Sequence, residues 1–209
     1  MSRRPYVIGL TGNIAAGKST VGKALSELGA EHIDADKLAH QVMARHTPAW
    51  EQIVAAFGPR VLRANGDIDR RELGSIVFAD AQALARLEAI VHPEVVAHIQ
   101  ERIATRTPSA ETGGVIVIEA IKLIESGIAD RFCDAVWVVI APRAVQIRRL
   151  GEQRQLNGAD AALRVDAQPP QEEKMARADV VIDNGGTLDE TMCQVREAWF
   201  KTADQAAGR

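Results

Sequence analysis

Residues Gly12-Asn13-Ile14-Ala15-Ala16-Gly17-Lys18-Ser19 fit the pattern G-x-x-x-x-G-K-[ST], and they stand between an apolar run at 6–10 and a helically spaced segment at 18–28. This setting constrains the fold more than any other feature of the chain. A buried strand must feed, through a glycine turn, into a helix that packs back onto the sheet. In the helical segment Val21, Leu25 and Leu28 fall on one face, and Gly29 closes it. Glycines at both ends of the turn let successive N–H groups converge on one centre, an anion-binding nest. The helix adds its positive N-terminal end. The expected ligand is ATP with Mg²⁺, cradled by Gly12, Asn13, Ile14, Ala15, Ala16, Gly17, Lys18, Ser19 and Thr20. Lys18 supplies a mobile charge for the β- and γ-phosphates, Ser19 a metal-directed hydroxyl, and Thr20 a hydroxyl placed for an α-phosphate.

Further along, His32-Ile33 leads into Asp34-Ala35-Asp36, a second short strand with an acidic tip. Apolar runs at 115–118, 135–140 and 180–182 read as buried strands, each beside a helical pattern. Strands alternating with helices predict an α/β fold, a P-loop NTPase-type parallel sheet flanked by helices. The interval 37–106 breaks that rhythm. It carries helical patterns at 38–43, 50–57 and 84–103 and, besides a turn signal at Asn65-Gly66-Asp67, no strand pattern. A helical insertion capping the carboxyl edge of the sheet is expected there. A second helical excursion, 143–177, is dense in Arg, Gln and Glu. The expected organisation is a nucleotide-binding core at 1–36, 107–142 and 178–209, an insertion at 37–106 and a helical excursion at 143–177, with a fraying tail from 204.

Composition narrows the function. With 209 residues, 46% hydrophobic and 25% charged, the chain can bury a core. A net charge of −3 gives no overall positive field for nucleic acid or anionic lipid. A small anionic substrate must be held by local Lys, Arg and N–H groups. Cys133 and Cys193 show neither metal-ligand spacing nor a disulfide framework, and read as buried or half-buried residues of a reducing compartment. Arg3 and Arg4 precede an apolar stretch that meets the glycine turn too soon for a signal peptide, and no run reaches membrane-spanning length. The expected location is the cytoplasm, without a membrane partner.

Candidate catalytic groups follow from the sheet geometry. In an extended segment, alternation would send Asp34 and Asp36 to the same side, at the strand end that opens onto the ligand crevice. One carboxylate there would deprotonate an attacking hydroxyl and another would support Mg²⁺ through water. The competing reading is helix capping, which Asp also favours. Glu119, ending the third strand, is expected to point into the same crevice, either as a carboxylate supporting the metal from behind its own ligands or as a solvated strand-end charge. Arg143, Arg148, Arg149 and Arg154 offer either cations for the transferring phosphoryl group or a solvated helix face.

At these residues the chain resembles the bacterial dephospho-CoA kinase family. The resemblance runs nearly end to end: the Gly12–Thr20 loop, Leu28-Gly29-Ala30, Asp34-Ala35-Asp36 with His40, Asp69-Arg70, Val91-His92-Pro93, Gln146 with Arg149-Leu150, Ala178-Asp179 and Asn184-Gly185-Gly186. The phosphate loop alone is widely shared. The Asp-x-Asp, the His-Pro after a helix and the Gln-x-x-Arg-Leu in combination are far more specific. The resemblance implies a kinase of three parts, with a nucleotide core, a helical CoA-binding insertion at 37–106 and a lid at 143–177, acting on ATP and dephospho-CoA. It makes Asp36 the base or orienter at the ribose 3′-hydroxyl and Arg149 a lid cation. It places Asp34, His40, Arg70 and His92 on the acceptor side and Asn184 near adenine.

Three departures from that pattern stand out. Asn13, Ala15 and Ala16 replace loop positions that are commonly Gly or Ser. Glu119-Ala120-Ile121-Lys122-Leu123-Ile124-Glu125 stands where Asp-x-Pro-Leu-Leu-x-Glu is usual. Gln153 occupies a lid position that is usually Arg, with Arg154 beside it, and adjacent helical residues point about 100° apart. Two rival readings are another small-molecule P-loop kinase of shikimate type and a nucleotide-dependent switch. A guanine-reading Asn-Lys-x-Asp segment is absent from the chain, and a long insertion suits a bulkier acceptor than shikimate.

Overall fold

The structure, a computed structural model, describes residues 4–105 and 114–207. The expected boundary at Arg106 and the terminal Gly208 and Arg209 lie outside the described residues. Two compact units emerge, Met1–Asp34 with Thr105–Arg209, and Ala35–Ala104.

The first unit is built on five parallel strands: β1 (Tyr6–Thr11), β2 (Glu31–Asp34), β3 (Val115–Glu119), β4 (Ala135–Ile140) and β5 (Val180–Asp183), in the order β2-β3-β1-β4-β5. Their Val- and Ile-rich runs are what burial on two faces demands. β1 and β3 are buried at every position. Because β1 pairs with β3 on one side and β4 on the other, its carboxyl end, where the glycine loop begins, opens at the centre of the sheet. Helix α1 (Lys18–Glu27) returns the chain to β2, and α10 (Leu188–Ala207) packs beside it. Between them lies a core of Ile8, Leu10, Val21, Leu25, Trp137 and Trp199. Leu25 is fully buried, so Leu25→Ala would destabilise by roughly 2–5 kcal/mol. The tail expected to fray from Asp204 is helical through Ala207.

The cysteines depart partly from expectation. Cys133 is half-buried, but Cys193 is exposed. The buried stripe of α10 runs through Thr191, Val195, Ala198 and Thr202, and a residue two positions after Thr191 falls on the opposite face.

The second unit contains α2 (Ala35–Val42), α3 (Pro48–Phe57), α4 (Arg70–Ala79) and α5 (Ala81–Thr105), the last ending at the unit's edge. Thr47 caps α3 by accepting from Trp50 N at 3.1 Å, with Pro48 at the first helical position, where its missing N–H is harmless. Asp69 caps α4 through Arg71 N and Glu72 N. Ile53, Phe57, Val61, Ile68, Leu73 and Val77 form its core. The turn at Asn65-Gly66-Asp67 is present, flanked by a single antiparallel bridge between Leu62 and Ile68.

Candidate active site

The glycine loop leaves β1 after Thr11 and enters α1 at Lys18. Gly17 caps α1 with φ 103°, and a Cβ there would stand 1.8 Å from Asn184 Nδ2. At Gly12 a Cβ would meet the Val139 carbonyl oxygen at 2.2 Å. Only glycine fits either place. The loop's departures are each accommodated. Asn13 Nδ2 donates to Pro169 O at 2.9 Å, and Ile14 N donates to Gln168 Oε1 at 2.6 Å. Ala15 takes φ 56°, a left-handed conformation that costs a non-glycine residue roughly 1–2 kcal/mol. Ala16 is fully buried in the sheet core.

Lys18 is less mobile than its motif role suggests. It is buried, and its Nζ donates to the loop carbonyls of Gly12 at 3.1 Å and Asn13 at 3.3 Å. Ser19 and Thr20 are exposed. Ser19 Oγ donates to Glu119 Oε1 at 3.2 Å, while Glu119 itself, at the end of β3, is only 5% exposed. The sheet register places Asp34 opposite Glu119. Ser19 and Glu119 are thus bonded, and Asp34 stands beside Glu119 in the strand pairing. A hydroxyl and carboxylates are the hard oxygen donors that Mg²⁺ takes. No group of three or more His, Cys, Asp or Glu fit to hold a metal occurs among the described residues.

The segment after β3 is tied by Lys174, a buried residue to which sequence reasoning gives no role. Its Nζ donates to Ile121 O at 2.9 Å and to Glu125 Oε1 at 2.5 Å, and Thr11 Oγ1 donates to the same Ile121 carbonyl. Burial alone would raise the Glu125 carboxyl. The hydrogen bond and charge of Lys174 outweigh it and hold the group below its ordinary value.

Past the short α6 (Ile128–Phe132) and β4, helices α7 (Arg143–Arg154), α8 (Gly158–Asp166) and α9 (Gln171–Met175) form the second helical excursion. Leu150, Ala161 and Val165 pack there against Ile14 and Ala15 of the loop. Arg149 Nη1 donates to Ala16 O, and its Nη2 donates to Asn184 O. Arg143 is committed elsewhere, in a two-point pair with Asp166 at 2.7 and 2.6 Å. That pairing pushes the guanidinium up and the carboxyl down from their ordinary values. Arg148 and Arg154 are exposed. A cavity of about 320 Å³ is lined by Lys18, Ser19, Thr20, Arg149, Asn184 and Leu188, and by Gln153 rather than its neighbour Arg154. A larger cavity of about 570 Å³ lies at the amino ends of β4 and β5, lined by Asp134, Asp179, Glu197 and Lys201. It has neither the glycine loop nor a net positive lining, so the smaller cavity is the one that suits a polyphosphate.

Asp36 requires a correction. β2 ends at Asp34 and α2 begins at Ala35, so Asp36 lies in the first turn of a helix, exposed, and not in a shared extended segment with Asp34. Ala35, Leu38 and Ala39 favour helix, and a carboxylate in the first turn complements the helix dipole. In the same unit a cavity of about 340 Å³ is lined by His40, Met43, Arg45, Arg63, Asp67 and Arg70. His40 and Arg70 thus meet. His92, half-buried on α5, is not among the lining residues. Arg45 and Arg63 were not singled out from sequence, because isolated arginines in a loop carry no spacing signal.

A central strand running into this loop, with a helical excursion bonded back to it, is the architecture of the P-loop kinases. Comparison with known proteins narrows the class. The dephospho-CoA kinase family model matches residues 6–190, and the chain belongs to that family. A dephospho-CoA kinase of Geobacter sulfurreducens is 48% identical over 195 residues, covering 93% of this chain and 98% of the relative. The crystal structure of TT1252 from Thermus thermophilus is 32% identical with a TM-score of 0.82, covering 96% of this chain and 98% of that one. The dephospho-CoA kinase from Campylobacter jejuni is 28% identical with a TM-score of 0.70, covering 95% and 98%. A shikimate kinase from Bacteroides thetaiotaomicron shares the fold alone, at 16% identity and a TM-score of 0.52 over 94% and 98% of the two chains.

Proposed function

We propose that this chain transfers the γ-phosphoryl group of ATP to the ribose 3′-hydroxyl of dephospho-CoA, giving CoA and ADP, the last step of coenzyme A biosynthesis. The observation that carries the reading is the single cavity lined by Lys18, Ser19, Arg149 and Asn184 in a chain of this family. The glycine loop holds the polyphosphate with its amides, and Lys18 stiffens the loop while bringing a cation to the β- and γ-phosphates. Bound Mg²⁺ would neutralise charge on the phosphate oxygens, and Ser19 and Glu119 would hold it, with Asp34 nearby. Asn184 and Leu188 lie toward the adenine end. Asp36 orients the 3′-hydroxyl and accepts its proton as the oxygen bonds to the γ-phosphorus and the bond to the β–γ bridging oxygen breaks. Arg149 stabilises charge on the transferring group.

The unit Ala35–Ala104 supplies the acceptor side, where His40, Arg45, Arg63 and Arg70 form a basic cavity for an anionic acceptor, and His92 contributes from α5. Residues 143–177 act as the lid. No described helix is long and apolar enough to cross a membrane, and the reaction is assigned to the cytoplasm. Incubation with ATP, Mg²⁺ and dephospho-CoA, followed by mass spectrometry of the acceptor, tests the reading. CoA is the expected product, and unchanged dephospho-CoA with active, folded protein would refute it.

A further inference from the structure

Beside the Ser19–Glu119 pair lies a third polar side chain that the mechanism above does not use. In the β2–β3 register His32 pairs with Val117, so Glu119 is its diagonal neighbour on the same face of the sheet. His32 Nε2 stands 3.0 Å from Glu119 Oε2. Both atoms are shielded from solvent, and neither has a well-aligned hydrogen-bond partner among the described residues. The two are in contact but off the ideal line. Gly22 of α1 closes over them: a Cβ there would stand 3.0 Å from Glu119 Oε2, His32 Cε1 and His32 Nε2 alike. Glutamate is one methylene longer than the aspartate usual at this place, and its extra reach is accommodated where Gly22 has no side chain.

We infer that His32 is a positioning residue for the metal-side pair, holding Glu119 Oε2 so that Oε1 stays on the Ser19 hydroxyl. With that hydroxyl proton directed to Oε1, the lone pairs of the Ser19 oxygen face outward to a cation. Removing an outer partner of this kind usually weakens metal binding about 10–100-fold. The inference rests on the reading of Ser19 and Glu119 as metal ligands or near-ligands.

Its test needs no turnover. Mn²⁺ is titrated into the protein with ADP bound, and free Mn²⁺ is read by electron paramagnetic resonance. His32→Ala should weaken Mn²⁺ binding about 10-fold or more, with metal-free ADP affinity unchanged. His32→Gln, whose amide nitrogen overlays the imidazole Nε2, should recover most of the loss. If the alanine variant does not fold, His32→Phe keeps the ring volume without the donor and should show the same loss. Wild-type Mn²⁺ affinity in the donor-less variant would overturn the inference. So would equal weakening in His32→Gln and the donor-less variant together with lowered thermal stability, because that pattern marks packing. A wild-type protein·ADP complex that binds no Mn²⁺ would sink the Ser19–Glu119 reading itself. A wild type that binds Mn²⁺ but does not phosphorylate dephospho-CoA would refute the proposed acceptor alone.

Discussion

Arg149 and Asn184 reach the phosphate loop at one atom: Arg149 Nη1 and Asn184 Nδ2 both donate to the Ala16 carbonyl, at 3.4 and 2.8 Å. Arg149 Nη2 also donates to the Asn184 carbonyl at 2.9 Å, and Asn184 Oδ1 accepts from Thr191 Oγ1 on α10. Helix α7, the turn after β5 and the loop are thus joined at a single point. Arg149, to which the proposed function gives the transferring phosphoryl group, is thereby bonded to the loop itself.

Arg149→Ala should lower kcat and kcat/KM together, by about 10²-fold, with a smaller change in ATP affinity. An interaction strengthened in the transition state appears in both constants, whereas uniform binding appears in KM alone. Arg154→Ala should leave the kinetics at wild-type values, because Gln153 lines the cavity and Arg154 does not. Steady-state kinetics with each substrate varied separately checks both. A pure KM effect for dephospho-CoA in Arg149→Ala would move that residue to acceptor binding.

Lys18→Ala should cost about 10²-fold or more in rate. It also removes two bonds from a buried ammonium to the loop carbonyls. Hydrogen bonds to charged groups contribute about 1.5–3 kcal/mol each, partly offset here by the lost burial of charge. A fall in Tm of a few degrees should therefore accompany the lost rate, read by thermal unfolding beside the assay. Wild-type activity in the folded variant would contradict the loop assignment.

Asp36→Asn should keep ATP affinity near normal and lower kcat by roughly 10²–10⁴-fold, since an amide cannot accept the hydroxyl proton. Its place in the first turn of α2 gives the alternative a distinct signature. If Asp36 serves only the helix dipole, Asn costs about 0.3–1 kcal/mol of stability and leaves the rate per folded molecule unchanged. Chemical denaturation and single-turnover kinetics on one preparation separate the two.

The cysteines should differ sharply toward alkylating reagents. Burial, reinforced by the Asp134 carboxylate, pushes the Cys133 thiol up to about 12, whereas Cys193 is exposed on α10. Native protein at neutral pH should label at Cys193 alone, and both should label in denaturant. The thiol's folded value lies above its unfolded one, near 8.5. Its contribution to stability is therefore intact below about pH 8.5 and is lost as pH rises toward about 12. Peptide mapping after labelling, with unfolding measured across alkaline pH, checks both statements.

Sequence reasoning reached the sheet and the phosphate loop because their signals are local. Apolar runs mark the strands, and the loop's glycines answer contacts that no side chain survives. Helix α4 went unseen because only Leu73 and Val77 of it are buried, too few to set a period. The place of Asp36 is not legible locally, because an Asp-x-Asp suits a strand end and a first helical turn equally. For His32, Lys174 and Gln168 the sequence assigns no role. Each is one polar residue whose partner, Glu119, Glu125 or the Ile14 amide, lies 49 to 154 positions away or is joined only through strand pairing.

The central claim concerns the acceptor, and ADP release measured against acceptor identity tests it most directly. With ATP and Mg²⁺ fixed, ADP formation should be negligible alone or with shikimate. It should rise in one-to-one proportion to added dephospho-CoA, with CoA accumulating in step. ADP release that ignores dephospho-CoA, or that follows shikimate instead, would contradict the account.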